Sequence, residues 1–425
     1  MNKTYNIVWN EARKMYVVAS ELSRGNSRVK AQVRATAALV MLACGGMMSL
    51  PAQAHTSTVI DATVENEVMT TGKQIILNGG VAINVTVNGA SWQTVSSGGA
   101  SISTTLTGGG GQHVSSGGTA TATTVNGKKS VQIVHSGGTA ISTTLNDMGI
   151  QDIRPGGTAT STTVNGGGQQ YVAGVATDTL VNRGGEQHVS SGGMATYTMV
   201  DAGGVQLVSS GGVATNATVA GMQHISSGGA ATSTTLSDYG EQHISSGGTA
   251  TATMVNDSGT QHVSSGGTAT ATTVNDWGQQ HVSSGGMTTA TTVNDGGEQH
   301  VLSGGIAMDT RVLNGGTLDV EEAGELTGAT IEAGGGLNMQ AEGVASDVRL
   351  STEAVLMANT DSTLRGAYDN GQEFSIVDHN ARNLIITGGS RLRVLDGGTS
   401  TATTVSNGGK LWVDSGGTAT DTTAL

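Results

Sequence analysis

From residue 79 onward the apolar residues fall in two columns at fixed distances from a recurring Gly-Gly pair. The clearest copy, residues 266–284, reads Gly-Gly-Thr-Ala-Thr-Ala-Thr-Thr-Val-Asn-Asp-Trp-Gly-Gln-Gln-His-Val-Ser-Ser. Markers stand at 79, 98, 117, 137, 156, 174, 192, 211, 228, 247, 266, 285 and 304, and the spacing settles at 19. Counting the first glycine as zero, position eight is always aliphatic, from Leu106 and Val125 through Val255 and Val274 to Val312. Position sixteen is Val or Ile throughout, from Val95 to Val301. Position five holds Ala122, Ser142, Tyr197, Asn216 and Asp309, and position seven admits Met199 and Arg311, so those columns face solvent. A period this short belongs to a solenoid, because one unit cannot bury its apolar face without neighbours.

Strand alternation predicts inward positions two, four, six and eight on a first strand, then inward Gln at fourteen and Val or Ile at sixteen on a second. Gly-Gly makes one corner. Asn-Asp-x-Gly makes the other, its glycine free to take positive φ. Strand, turn, strand, turn, with no helix after residue 54, is an all-β parallel β-helix. We expect about nineteen rungs, right-handed, at roughly 4.8 Å per rung or about 90 Å in length. The repeats occupy 79–425 and are degenerate over about 305–396, with the likeliest interruption at 360–380 around Phe374. Residues 55–78 lack the repeat and are expected to cap the first rung, since a solenoid end otherwise leaves a bare strand edge.

Composition shapes this reading in two places. Low charge and sixty-seven glycines could signal disorder, but the fixed Val and Ile columns argue against it. Residues 1–54 hold seven Lys and Arg against two Asp and Glu, so the net −13 of the chain leaves −18 on residues 55–425. An acidic shaft of that kind excludes nucleic acid as a partner. Residues 1–54 read as an export signal: a basic stretch to Arg34, the apolar run 35–50, and an A-x-A cleavage site ending at Ala54. The run is too short to span a membrane. Cys44, the single cysteine, lies inside it; a lipoprotein box over 40–44 is an alternative that Met41 and Leu42 fit poorly.

The inward Gln column, from Gln93 to Gln299, needs partners, and stacked amides can bond to one another. His224, His243, His262, His281 and His300 form an outward ladder on five successive rungs, with His113 and His188 below. Stacked imidazoles are candidate ligands for zinc or nickel, though a solvated column copied by repeat duplication is the reading we favour. Below about pH 6 they should gain charge. Asp238, Asp257, Asp276 and Asp295 form a second ladder that could draw a divalent cation, or simply suit a turn. No catalytic constellation, P-loop or Cys/His metal spacing stands out, so we expect no enzyme, no catalytic residues and no cofactor.

Residues 1–10 (Met-Asn-Lys-Thr-Tyr-Asn-Ile-Val-Trp-Asn) through 17–25 (Val-Val-Ala-Ser-Glu-Leu-Ser-Arg-Gly) resemble the extended signal peptide of large Gram-negative autotransporters. With the Gly-Gly-Thr-Ala-Thr…Gln-His-Val-Ser-Ser repeat, the chain resembles an AIDA-type self-associating autotransporter adhesin over 1–54 and most of 79–425. The resemblance implies export through the inner membrane and display at the cell surface, with association between passengers on neighbouring cells giving adhesion, autoaggregation and biofilm. A host-cell surface is a further implied partner. It also implies modification by a partner heptosyltransferase, for which Ser115, Ser190, Ser209, Ser226, Ser245, Ser264, Ser283, Thr124, Thr163, Thr273 and Thr292 are the outward candidates. The family's β-barrel translocator is not represented before Leu425. The expectation for the parent is therefore surface display, and the alternative is a truncated, unanchored solenoid, periplasmic or secreted, without activity of its own.

Overall fold

The rung 266–284 runs as three strands, Thr268–Thr270, Thr273–Val274 and Gln279–Val282. Each pairs in parallel with its counterparts one repeat earlier and later, as in Thr249↔Thr268↔Met287, Met254↔Thr273↔Thr292 and Gln261↔Gln280↔Gln299. The computed structural model describes residues 5–10, 15–20 and 58–425. Over 58–425 the four-residue strand and its equivalents recur nineteen times, from Thr58–Ile60 to Lys410–Val413. This is a parallel β-solenoid of about nineteen turns, without helix among the described residues.

Three strands per turn corrects the expected two. The cause lies at position five, where Tyr197, Ser233, Ala252, Ala271 and Asp309 all take left-handed backbone, with φ between 53 and 56°. For a residue with a Cβ that conformation costs about 1–2 kcal/mol. It persists because each such amide donates across the corner to the next turn, as Ala252 N does to Thr270 O (2.9 Å) and Ala271 N to Thr289 O (2.9 Å). A left-handed residue breaks strand alternation. Ala269 and then Thr272 point inward, three positions apart, while Thr268 and Thr270 lie partly exposed. Positions two and four, expected inside, are therefore outside, and position three is inside.

The other corners also assign their glycines differently. At Asn-Asp-x-Gly the positive φ belongs to Asp276 (45°) and Trp277 (65°), both central residues, as in a type I′ turn. Gly278 is required for space: a Cβ there would sit 2.5 Å from the Val255 carbonyl oxygen of the turn below. In the Gly-Gly pair the first glycine does take positive φ (Gly266, 82°), and the second, Gly267, would place a Cβ 2.2 Å from Ile244 O.

The interior is narrow. Position eight (Val255, Val274) and position sixteen (Ile244, Val263, Val282) are fully buried, beside alanines at position three. The Gln column is one continuous chain of amide bonds: Gln112 Nε2 donates to Gln93 Oε1 (2.7 Å), Gln261 to Gln242 (2.7 Å), Gln280 to Gln261 (2.6 Å) and Gln299 to Gln280 (2.6 Å). Position-six hydroxyls complete it, Thr272 Oγ1 donating to Gln261 Oε1 (3.1 Å) and Thr310 to Gln299 (2.8 Å). Above Gln299 the column turns to Leu318, Leu337 and Leu356.

The interruption falls where the repeat fails. Thr363–Tyr368 stacks on Val344–Leu350, then Glu373–Val377 returns antiparallel beside it, and Asn380–Arg382 reverses again before the coil resumes on Thr399–Thr401. Phe374 and Tyr368 are buried against each other, centroids 4.7 Å apart. Burial pushes the Tyr368 phenol up to about 12, and its oxygen accepts from Ile385 N (2.7 Å). Where a cap was expected, residues 58–76 run as turns of the same coil, Val59↔Ile75 and Val64↔Ala82 in parallel register. In a separate unit, Tyr5–Asn10 and Met15–Ser20 pair antiparallel. The apolar run at 35–50, Cys44 and the Ala54 cleavage site lie outside the described residues.

Candidate functional site

Each outward position of the repeat becomes a column running along the coil. Thr at positions two and four covers one face, Thr, Met or Leu at seven covers the second, and Gln or Glu at thirteen with His at fifteen covers the third. The serines Ser115, Ser190, Ser209, Ser226, Ser245, Ser264 and Ser283 are half-buried at the edge of the third face, and Thr124, Thr163, Thr273 and Thr292 are half-buried on the second. Reading the sequence by simple alternation missed two hydroxyl columns. Thr249, Thr251, Thr268 and Thr270 reach the surface because of the left-handed corner. Ser191, Ser210, Ser227, Ser246 and Ser265, at position eighteen, are more exposed than their neighbours at seventeen and sit at φ between 48 and 54°.

The histidines form the most ordered of these columns. Ring centroids are 5.0 Å apart for His224–His243, 4.7 Å for His243–His262, 5.2 Å for His262–His281 and 4.9 Å for His281–His300, all stacked. Below them His188 stacks on Tyr171 (4.8 Å), and His113 lies between Trp92 (4.5 Å) and His135, whose Nε2 is 2.9 Å from His113 Nδ1. His135 was not singled out from the sequence, because it stands at position seventeen, the column of Ser115 and Arg154, rather than at fifteen.

Three of the ladder's imidazoles, His224, His262 and His281, are harder to charge than isolated ones, chiefly because they are partly buried. Burial, then the charge of its neighbours His300 and His262, pushes His281 down to about 4. Burial followed by the His243 charge lowers His224 and His262 as well. The top rung behaves oppositely. His300 Nδ1 lies 3.2 Å from Asp319 and its Nε2 3.2 Å from Glu298, and the Asp319 hydrogen bond above all holds it above the ordinary range. The expected gain of charge below about pH 6 is thus shifted to more acid pH for His224, His262 and His281.

A second concentration of charge lies at the interruption. Arg365, Ser375 and Arg382 stand opposite one another across three neighbouring strands, and Arg349 is opposite Ala367, two residues along the same strand face. They rim an open cleft of about 560 Å³ floored by Val348, Gly366 and Phe374. Arg311, by contrast, is paired to Glu332, and Arg393 to Asp414 (2.9 Å). The clue in the sequence is distribution: of the twelve Lys and Arg after residue 54, six fall at 349, 365, 382, 391, 393 and 410. The Asp238, Asp257, Asp276 and Asp295 ladder occupies the corner at position ten, where the first three take positive φ, a turn conformation that Asp suits.

Comparison with known proteins agrees with this geometry. Residues 171–222, 220–278 and 365–425 match the family described as adhesin of bacterial autotransporter system, probable stalk, and residues 1–50 match the extended signal peptide of the type V secretion system. A solved structure of a hyper-glycosylated TibA fragment, modified by TibC, is 39% identical at a TM-score of 0.57, covering 67% of this chain and 100% of that one. The autotransporter CRAC of Citrobacter rodentium is 38% identical over 100 residues, 23% of this chain and 6% of that protein's length.

Proposed function

The chain belongs to the AIDA-type autotransporter adhesin passengers, and from that premise we propose that it joins cells by lying side by side with like chains through its polar faces. The observation that carries this reading is the regularity of the outward columns: the same hydroxyls recur turn after turn, at about 4.8 Å. Each contact between two such faces is weak, but many form together once two coils align, so affinity arises from number. Residues 55–425 carry −18, so parallel faces also repel. Association should therefore strengthen as salt shortens the screening length to about 8 Å.

We further propose that the exposed Ser and Thr columns accept sugars from a partner glycosyltransferase. The similar TibA fragment is hyper-glycosylated, and Ser115 through Ser283, Thr124, Thr163, Thr273 and Thr292, with the exposed Ser191 to Ser265 column, offer hydroxyls at the surface here. The extended signal supports export and display at the cell surface for the parent protein.

The test displays the full-length parent on otherwise non-aggregating cells and follows settling, with a second, differently labelled displaying strain mixed in. Co-settling of both labels, strengthened by salt, is the expected result. Cells that carry the passenger, by antibody binding, yet stay dispersed would refute self-association and leave a stalk without it. Intact mass from a host with the transferase should exceed the sequence mass in steps of one sugar. A native mass equal to the sequence mass would remove the glycosylation proposal alone.

A further inference from the structure

The His ladder contains one place where a carboxylate meets two stacked imidazoles and no second carboxylate engages either ring. Glu241 and His243 project from the same side of the strand Glu241–Ile244, and His243 Nε2 lies 3.0 Å from Glu241 Oε2. His262, one turn on, stacks on His243 at 4.7 Å with rings 17° from parallel. One donor atom from each of the three comes within 4.8 Å of the other two. We propose that Glu241, His243 and His262 form a surface site for a borderline divalent transition ion of the zinc or copper class, with water in the remaining position.

The chemistry of the donor set fits. Two imidazoles and one carboxylate, with a position left open, is an established zinc set, and imidazole suits zinc, copper and nickel where all-oxygen sites suit calcium and magnesium. Tetrahedral ligands at zinc distances lie about 3.4 Å from one another. The donors must therefore draw together by somewhat more than 1 Å, which side-chain rotation supplies for half-exposed groups at a surface. An imidazole binds metal through the lone pair of a ring nitrogen, and both rings stand half-buried at the surface.

Other rungs lack one of these conditions. Beside His281 stands Gln279, an amide whose oxygen accepts from or faces the ring at 3.2 Å. At His300 the carboxylates Glu298 and Asp319 both engage the ring and favour its cationic form, which repels a metal ion. At His188 the carboxylate Glu186 is present (3.0 Å), but the neighbours on the ladder are Tyr171 and Leu207. Above and below Glu241 stand Thr260 and Met222, so no cation competes for it along its own column. The ligands come from two turns, so a bound ion would also tie adjacent rungs together.

The experiment uses the purified, untagged full chain near pH 7.5. Zinc chloride is titrated calorimetrically, and copper(II) binding is followed by electron paramagnetic resonance, which reports coordinated nitrogen. We expect one ion per chain, two nitrogens in the copper spectrum, and affinity lowered at least about tenfold by His262→Gln and by His243→Gln. Glu241→Gln, which keeps shape and fold, should weaken binding by about fivefold or more, whereas His281→Gln should leave it within about twofold. Absence of saturable binding would overturn the proposal. So would affinity unchanged in His262→Gln, or an equal loss in His281→Gln, since either would spread binding along the whole ladder.

Discussion

Replacing Gln261 by leucine tests whether the buried amide chain holds neighbouring turns together. Gln261 has three side-chain bonds, donating to Gln242 and accepting from Gln280 and Thr272. Without it Gln242 Oε1 still accepts from Thr253 (3.2 Å). Gln280 Nε2 and the Thr272 hydroxyl lose their acceptor inside a fully buried column. Each such orphan costs about 1–3 kcal/mol, and leucine returns about 1.5–3 kcal/mol by burial. A net loss of about 1–3 kcal/mol is expected. Gln299→Leu is the internal control, because Gln299 ends the chain and already contacts a turn bearing Leu318. There the amide below, Gln280, keeps both Thr291 (3.0 Å) at its oxygen and Gln261 at its nitrogen. Gln299→Leu orphans the Thr310 hydroxyl and removes the long bond from Gln299 Nε2 to Thr288 Oγ1 (3.3 Å), but it strands no amide N–H as Gln261→Leu does, so Gln261→Leu should be costlier by about 1 kcal/mol. Urea titration gives the comparison, and hydrogen exchange over the strands Thr260–Val263 and Gln279–Val282 localises it, since a solenoid can loosen turn by turn. Equal midpoints and equal exchange for both variants would refute the reasoning.

Three further outcomes follow from the turn geometry and the ladder. Gly267→Ala should destabilise strongly, because the new Cβ meets a carbonyl oxygen rather than a movable side chain; loss of the cooperative thermal transition near that turn checks it. Val263→Asp should cost about 3–5 kcal/mol, an unpaired charge between two turns, while Thr273→Asp on the outer face should fold normally by circular dichroism. For pH, His224, His262 and His281 bind fewer protons folded than unfolded, so their contribution erodes as pH falls from the ordinary 6.5 toward about 4, the value of His281. His300 has the opposite sign, stabilising below 6.5 and losing that effect as pH rises through its raised folded value. Melting temperatures across this range should fall on acidification, and His281→Gln should flatten the fall; an unchanged profile in that variant would contradict the ladder's coupling.

The sequence alone determined the solenoid, because a buried column must repeat for turns to stack. Val255, Val274, Ile244, Val263 and the amides from Gln93 to Gln299 announce themselves by position, and each is buried as that repetition demands. The interruption around Phe374 was likewise readable as a loss of glycine and of period. Period, however, carries no information about backbone handedness at one residue. Ala271 and Tyr197 look like tolerant surface positions, yet their left-handed φ adds a third strand to every turn and exchanges inside for outside at positions two, three and four. Only the folded chain decides this, since the conformation is held by hydrogen bonds to the next turn rather than by the residue's own preference. The same holds for chemistry. The spacing placed five histidines in a row, but their stacked contact, the depressed His281, the opposed His300 and the meeting of Glu241 with His243 and His262 arise from neighbours nineteen residues apart. The Arg349, Arg365 and Arg382 cleft arises from an antiparallel return that the repeat does not encode. Columns are set by local sequence; charge state and ligand geometry depend on what one turn places against the next.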